Sequence, residues 1–312
     1  MKRFGPSLFF VSLICFLPVM CVQSNESSIA SEDEYLGQRP PGKSPEIFAP
    51  GIVSDSGWAE HCQIAISPIG NEIYWSAWTS AYPNKNGDNT EQIFYSEYRQ
   101  GAWTKPAIPQ FINNHLDNIN GGPVFSPDGN RLYFYSVDRP GGLGDMDTWF
   151  VEKVDGVWSD PVNAGDVYNS QGIDWTPTFT QTGFAYRNFD CLLKYSIVDG
   201  KFLEPDTITI SDQYIPKFPV YISPDESYLI FTEIKEDSFG GMDLYISFKN
   251  DSGAWDTPVN MGPAINTELH ERFPVLSPDG KYLFFVRHTK PDQDIFWVSG
   301  DIINEIRAKN QQ

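Results

Sequence analysis

The feature that most constrains this chain is a turn that returns four times: Ser67-Pro-Ile-Gly70, Ser126-Pro-Asp-Gly129, Ser223-Pro-Asp-Glu226 and Ser277-Pro-Asp-Gly280. Each copy separates a short apolar run from a second run, such as Arg131-Leu-Tyr-Phe-Tyr-Ser136 or Lys281-Tyr-Leu-Phe-Phe-Val286, that alternates as a half-buried strand does. Two more phrases recur in step with it. Gly-x-aromatic-x-x-Pro places its ring at Trp103, Trp158, Phe202 and Trp255, separated by 55, 44 and 53 residues. Met146-Asp-Thr-Trp-Phe150, Met242-Asp-Leu-Tyr-Ile246 and Gln293-Asp-Ile-Phe-Trp297 supply the third phrase, with Gln92-Ile-Phe-Tyr95 a weaker copy.

A unit of roughly 40–50 residues with four short strands cannot bury both faces alone, and a ring of such units is the propeller solution. The third unit has Phe179-Thr-Gln-Thr-Gly183 where the turn should stand, but Asp174-Trp-Thr-Pro177 and Gly200-Lys-Phe202 keep its register. The chain therefore reads as an all-β, five-bladed β-propeller of four-stranded blades, with six blades as the alternative. No aromatic-Pro strand follows Asp294 to Ser299, whereas Pro45-Glu-Ile-Phe-Ala-Pro50 looks like an orphan copy of one. The N-terminal strand is expected to close the last blade and remove its open edge. Ile302, Ile303 and Ile306 behind Asp301 predict a short outer helix.

Taken together, the Ser-Pro-Asp-Gly turn, the Leu-Tyr-Phe-Tyr-Ser strand and the Gly-Gly-Met-Asp-Leu-Tyr phrase resemble the repeats of TolB-like propellers, also called WD40-like propeller repeats. The resemblance spans nearly all of the chain after its leader. It implies an exported propeller that serves as a non-catalytic binding platform. The chain departs from TolB itself in having five units where TolB has six, and in having no separate N-terminal α/β domain before the blades.

Met1 to Ser24 has a basic start, an apolar stretch from Leu8 to Met20 broken by Pro18, and a small-residue exit, so it reads as a secretory signal and is too short to span a bilayer. A periplasmic or secreted location follows. Lipidation at Cys21 is the alternative, though Pro18-Val19-Met20 lacks the small residue wanted before a modified cysteine. Residues 25–44 read as a flexible lead-in and 45–312 as the propeller. Loss of Lys2 and Arg3 with the leader moves the net charge from −19 to −21, which argues against a nucleic-acid partner. With 40% hydrophobic and 15% aromatic residues, the chain has enough apolar mass for a core. The two remaining cysteines, Cys62 and Cys191, fall two blades apart and are expected to stay reduced; no spacing resembles a zinc site.

Asp128, Asp225 and Asp279 in the turns, and Asp147, Asp243 and Asp294 at the third strands, read as acceptors for local backbone amides. The residues just before each innermost strand differ from blade to blade, and His61, Asn120, Asp174, Trp175, Lys217, Glu271 and Arg272 form the candidate ligand-binding set there. Long connections (79–91, 110–122, 137–145, 164–173 and 263–271) feed this rim, so binding is expected on the long-loop face. The expected role is a binding or scaffold module for an envelope protein, a peptide or a glycan. The rival is a carbohydrate-active enzyme, glycoside hydrolase-like, with Glu60, Asp174 and Glu271 as funnel carboxylates. Neither a glycosidase motif nor a Gly-x-Ser-x-Gly elbow supports it. No metal or cofactor is expected. Calcium at Asn84 to Glu91 is the alternative, on oxygen-rich composition without helix-loop-helix spacing.

Overall fold

Five antiparallel sheets follow one another along the chain in a computed structural model that describes residue 1 and residues 35–310, except 56, 190, 212–215, 217, 290 and 291. The expected leader, Cys21 and Lys217 lie outside the described residues. Blade one comprises Trp58–Ile66, Glu72–Thr79, Thr90–Arg99 and Ala102–Trp103. Blade two comprises Asn120–Phe125, Arg131–Val137 and Met146–Val154, with an outer strand broken into Val157–Trp158 and Val162–Asn163. Blade three comprises Thr178–Phe179, Phe184–Phe189 and Cys191–Val198, with outer pieces Lys201–Phe202 and Asp206–Ile208. Blade four comprises Val220–Ile222, Tyr228–Glu233, Asp243–Phe248 and Val259–Asn260. Blade five takes Glu271–Leu276, Tyr282–Thr289 and Asp292–Ser299 from the C-terminal end and borrows Glu46–Ile47 from the N-terminal end, with Glu46 opposite Trp297 and Ile47 opposite Phe296. The ring is closed as its sequence pattern predicts.

The recurring turn works through its serine. Ser126, Ser223 and Ser277 Oγ each accept the amide of the residue five positions on, at 2.9 to 3.0 Å, and each donates to the turn aspartate. Partial burial pushes Asp128, Asp225 and Asp279 up, but these hydroxyl and amide bonds outweigh it and hold the carboxyls below their ordinary range. In the worn third unit Thr180 takes the serine's part, its Oγ1 accepting the Phe184 amide at 3.0 Å. Asp147 and Asp243 behave as read from sequence: each accepts two amides of the preceding loop and an asparagine side chain from the outer strand.

Aromatic rings fill the space between blades. Trp158 of blade two donates its indole N–H to Tyr74 of blade one at 2.9 Å, and Phe202 of blade three packs on Tyr133 of blade two. At the closure, Phe48 is fully buried against Phe284 and Trp297, both 5.1 Å away between ring centroids. Tyr35 and Leu36, read from sequence as part of a flexible lead-in, are buried here, with Tyr35 edge-on to Tyr282 and Trp297. Asp301–Asn310 forms the expected helix and buries Ile302, Ile303 and Ile306 against side chains of blades four and five.

Candidate functional site

Antiparallel order puts the starts of the innermost strands and the long loops on one face of the ring, and the Ser-Pro turns on the other. At the long-loop end, side chains alternate across each innermost strand, and this period of two splits the candidate set. Glu60, Asn120, Asp174 and Glu271 occupy one parity and are buried, at 0 to 1% exposure. His61, Trp175 and Arg272 occupy the other and keep partial exposure.

The buried parity is therefore not a rim, which corrects the expectation that Asn120, Asp174 and Glu271 face a ligand. Asn120 donates to the carbonyls of His115 and Asn118 and accepts from Ser136. Asp174 accepts the Ser170 amide at 2.5 Å and pairs with Arg187. Glu271 accepts the Thr267 amide at 3.1 Å and the Arg287 guanidinium at 2.8 Å. Each anchors the loop that feeds its own strand. Glu60 has no such partner: both carboxylate oxygens lack a hydrogen bond among the described residues. Burial, reinforced by Asp294 and Asp292, pushes its carboxyl up to about 9. The three carboxylates of the glycosidase reading thus do not line an open funnel.

The other parity meets at the centre. Phe273 packs its ring 5.1 Å from His61 and 6.0 Å from Trp175, and Trp175 stands edge-on to Tyr135 at 5.3 Å. Arg272 donates to Gln293 Oε1 at 2.5 Å and lies against His288 at 2.6 Å, while its Nε has no partner among the described residues. Burial, with the charges of Arg272 and His270 alongside, lowers His288. An aromatic and cationic plug closes the funnel on this side.

Beneath the plug lies a polar knot that sequence reasoning missed. Glu91 Oε1 accepts from Ser76 at 2.6 Å and lies 3.2 Å from His61 Nδ1, and its Oε2 accepts from Tyr135 at 2.5 Å. Cys62 Sγ is 3.2 Å from both His61 Nδ1 and the Tyr135 hydroxyl. Burial alone would lower His61, but Cys62 and Glu91 beside it hold its proton up to about 11. The Cys62 thiol is itself raised by burial and is free, as is Cys191. Gly121 and Gly122 make the room: a Cβ on the first would overlap the Glu91 carboxylate, and one on the second would press into the Tyr135 ring. Nothing in the sequence marks Glu91 or Tyr135, since they sit on different strands and share no motif with His61. In the calcium candidate segment, Asn84 Oδ1 accepts the amides of Asn86 and Asp88, and Asn84 Nδ2 donates to Asp88, which makes an Asx turn.

From the Ser-Pro face a channel of about 260 Å³ runs up the axis, lined by Pro123, Pro177, Pro219 and Pro274, with Pro68 and Pro278 near its mouth. Phe273 and a hydrogen bond of 3.1 Å from Gln63 to Thr176 cross its inner end.

No family model matches the sequence, and no curated protein matches it. Among solved structures the chain is similar to an arabinanase from Bacillus subtilis, with a TM-score of 0.50 and 11% identity over 77% of this chain and 95% of that one. The likeness is one of fold. It extends more loosely to a TolB protein from Agrobacterium tumefaciens, with a TM-score of 0.44 and 12% identity over 73% of this chain and 70% of that one. An oligogalacturonate lyase from Vibrio parahaemolyticus gives a TM-score of 0.39 and 11% identity over 78% and 66% of the two chains. A likeness of fold does not fix function, which must be argued from the site.

Proposed function

We propose that this chain is an exported binding module of the TolB-like repeat type, which presents its long-loop face to an envelope protein, a peptide or a glycan. The observation that carries this reading is the fate of the acids: Asp174 and Glu271 are neutralised by Arg187 and Arg287 inside loop anchors, while Trp175, Phe273 and Arg272 occupy the funnel. A retaining or inverting glycosidase needs two carboxyl groups about 5–9.5 Å apart that face one substrate. A partly exposed tryptophan and arginine instead suit recognition, since such side chains carry much of the affinity at binding surfaces. Export rests on the leader read in Met1 to Ser24.

The test is a thermal-shift screen of the purified protein against peptides and glycans, because a ligand at 100 times its Kd stabilises a fold by about 2.7 kcal/mol. The expected result is a hit that Trp175→Ala and Arg272→Ala weaken and Asp174→Asn leaves in place if the variant folds. Polysaccharide turnover that Asp174→Asn abolishes would instead favour the enzyme reading. Fractionation of cells that express the full chain tests export.

A further inference from the structure

We propose that His61, Cys62 and Glu91 form a zinc site at the centre of the propeller, with the Tyr135 hydroxyl at its fourth corner. Among the described residues, these three offer donor atoms that all lie within 4.8 Å of one another. The geometry is specific. Around His61 Nδ1 stand Cys62 Sγ at 3.2 Å, Glu91 Oε1 at 3.2 Å and Tyr135 Oη at 3.4 Å, and Sγ and Oη are themselves 3.2 Å apart. Tetrahedral zinc with bonds of about 2.0 to 2.3 Å to nitrogen, oxygen and sulfur sets its ligands roughly 3.3 to 3.6 Å apart. Four of the six separations among these donors therefore already lie close to those of tetrahedral corners, and along them an ion needs only a slight outward shift.

A hydrogen-bond network explains this arrangement less well. One ring nitrogen carries one proton or one lone pair, so it makes one good hydrogen bond, yet three polar atoms converge on Nδ1. A metal ion among these donors would engage Nδ1 and its three neighbours at once. The local backbone is shaped for the same end. Neighbouring residues on a regular strand point to opposite faces, but pairing with the next strand is irregular between His61 and Ala65, and Cys62 is left-handed at φ 63°. This irregularity lets two consecutive side chains reach one point. Blades two and five have the same irregularity, with Gly122 and Phe273 in place of the cysteine, so the bulge belongs to the fold and the histidine-cysteine pair to blade one alone. Imidazole, thiolate and carboxylate together select zinc over calcium or magnesium. Ser76 Oγ, at 2.6 Å from Glu91, orients that ligand from behind, and the His61 side chain keeps 17% exposure toward solvent.

The experiment uses the purified full chain, dialysed first against zinc chloride and, in parallel, against cobalt chloride. One zinc per chain is expected by elemental analysis, retained in Cys191→Ser and lost in Cys62→Ser. Ser76→Ala should weaken zinc binding by roughly 10-fold. The cobalt-loaded wild type should show a thiolate-to-cobalt charge-transfer band and the intense visible bands of tetrahedral cobalt. Zinc that survives Cys62→Ser, or a wild type that takes up no zinc, overturns the proposal. If Cys62→Ser fails to fold, the cobalt spectrum of the wild type decides alone, and a spectrum without the charge-transfer band overturns it.

Discussion

Glu60 stands directly across the sheet from Ala77, at the register position where blade five sets Glu271 opposite Arg287. The same buried acid is thus neutralised in one blade and left without a hydrogen-bond partner among the described residues in another. Blade two offers a third solution, in which Asn120 faces Ser136 and needs no charge at all.

That difference predicts a pH signature. Glu60 titrates at about 9 in the fold, far above its ordinary 4.5, so between these values the folded state holds more protons than the unfolded one. Stability therefore falls as pH rises across that window. Glu60→Gln removes the titration, so the stability of the variant relative to wild type should rise by at least about 1.4 kcal/mol, one pKa unit's worth, between pH 4.5 and 9. Urea unfolding at several pH values reads this directly. A difference that stays flat would mean that Glu60 is ionised inside the folded protein.

Arg187 gives the converse case. It neutralises Asp174, which is 1% exposed, so Arg187→Ala leaves a buried charge alone and should cost about 3–5 kcal/mol. Adding Asp174→Asn should recover most of the loss. Denaturant midpoints of the two single variants and the double variant form the cycle, and additive losses would sink the pairing argument.

Phe48→Ala should destabilise by about 3–5 kcal/mol, since its ring is fully buried against Phe284 and Trp297 at the closure. Thermal unfolding followed by tryptophan fluorescence checks this. A loss under 1 kcal/mol would mean that the closing strand contributes little to the ring.

Asp279→Ala removes the acceptor of Ser277 Oγ and of the Lys281 amide, and should cost about 1 kcal/mol at neutral pH. The folded carboxyl titrates below its ordinary 3.8, so this contribution is present above that value and is lost as pH falls through the folded one. The gap between variant and wild type should narrow in acid, as urea unfolding below pH 4 would show.

The fold was legible because the blades repeat their chemistry: a serine that accepts an amide five residues on, in two blades an aspartate that gathers loop amides, and a ring that fills the gap to a neighbouring blade. The worn third unit keeps a version of the first of these, with Thr180 accepting an amide four residues on. The site was legible only in part. Position before the innermost strand picked out His61, Trp175 and Arg272, which keep partial exposure, but the same rule swept in Asn120, Asp174 and Glu271, whose parity turns them inward. Cys62, Glu91 and Tyr135 were hidden because strand pairing and ring curvature unite them. In sequence, Glu91 reads as the end of an oxygen-rich loop, and Cys62 as a cysteine that stays reduced.

The borrowed strand also brings the first and last elements of the ring together. Lys43 and Glu305, 262 residues apart in sequence, form an ion pair at 2.5 Å beside the closure. Completing the ring is thus the least local event in the structure, and a nascent chain keeps an unpaired edge until its final blade has emerged. A cut at one of the exposed Ser-Pro turns, with the present ends joined by a short linker, would move that last step to a different blade and turn closure into an ordinary hairpin.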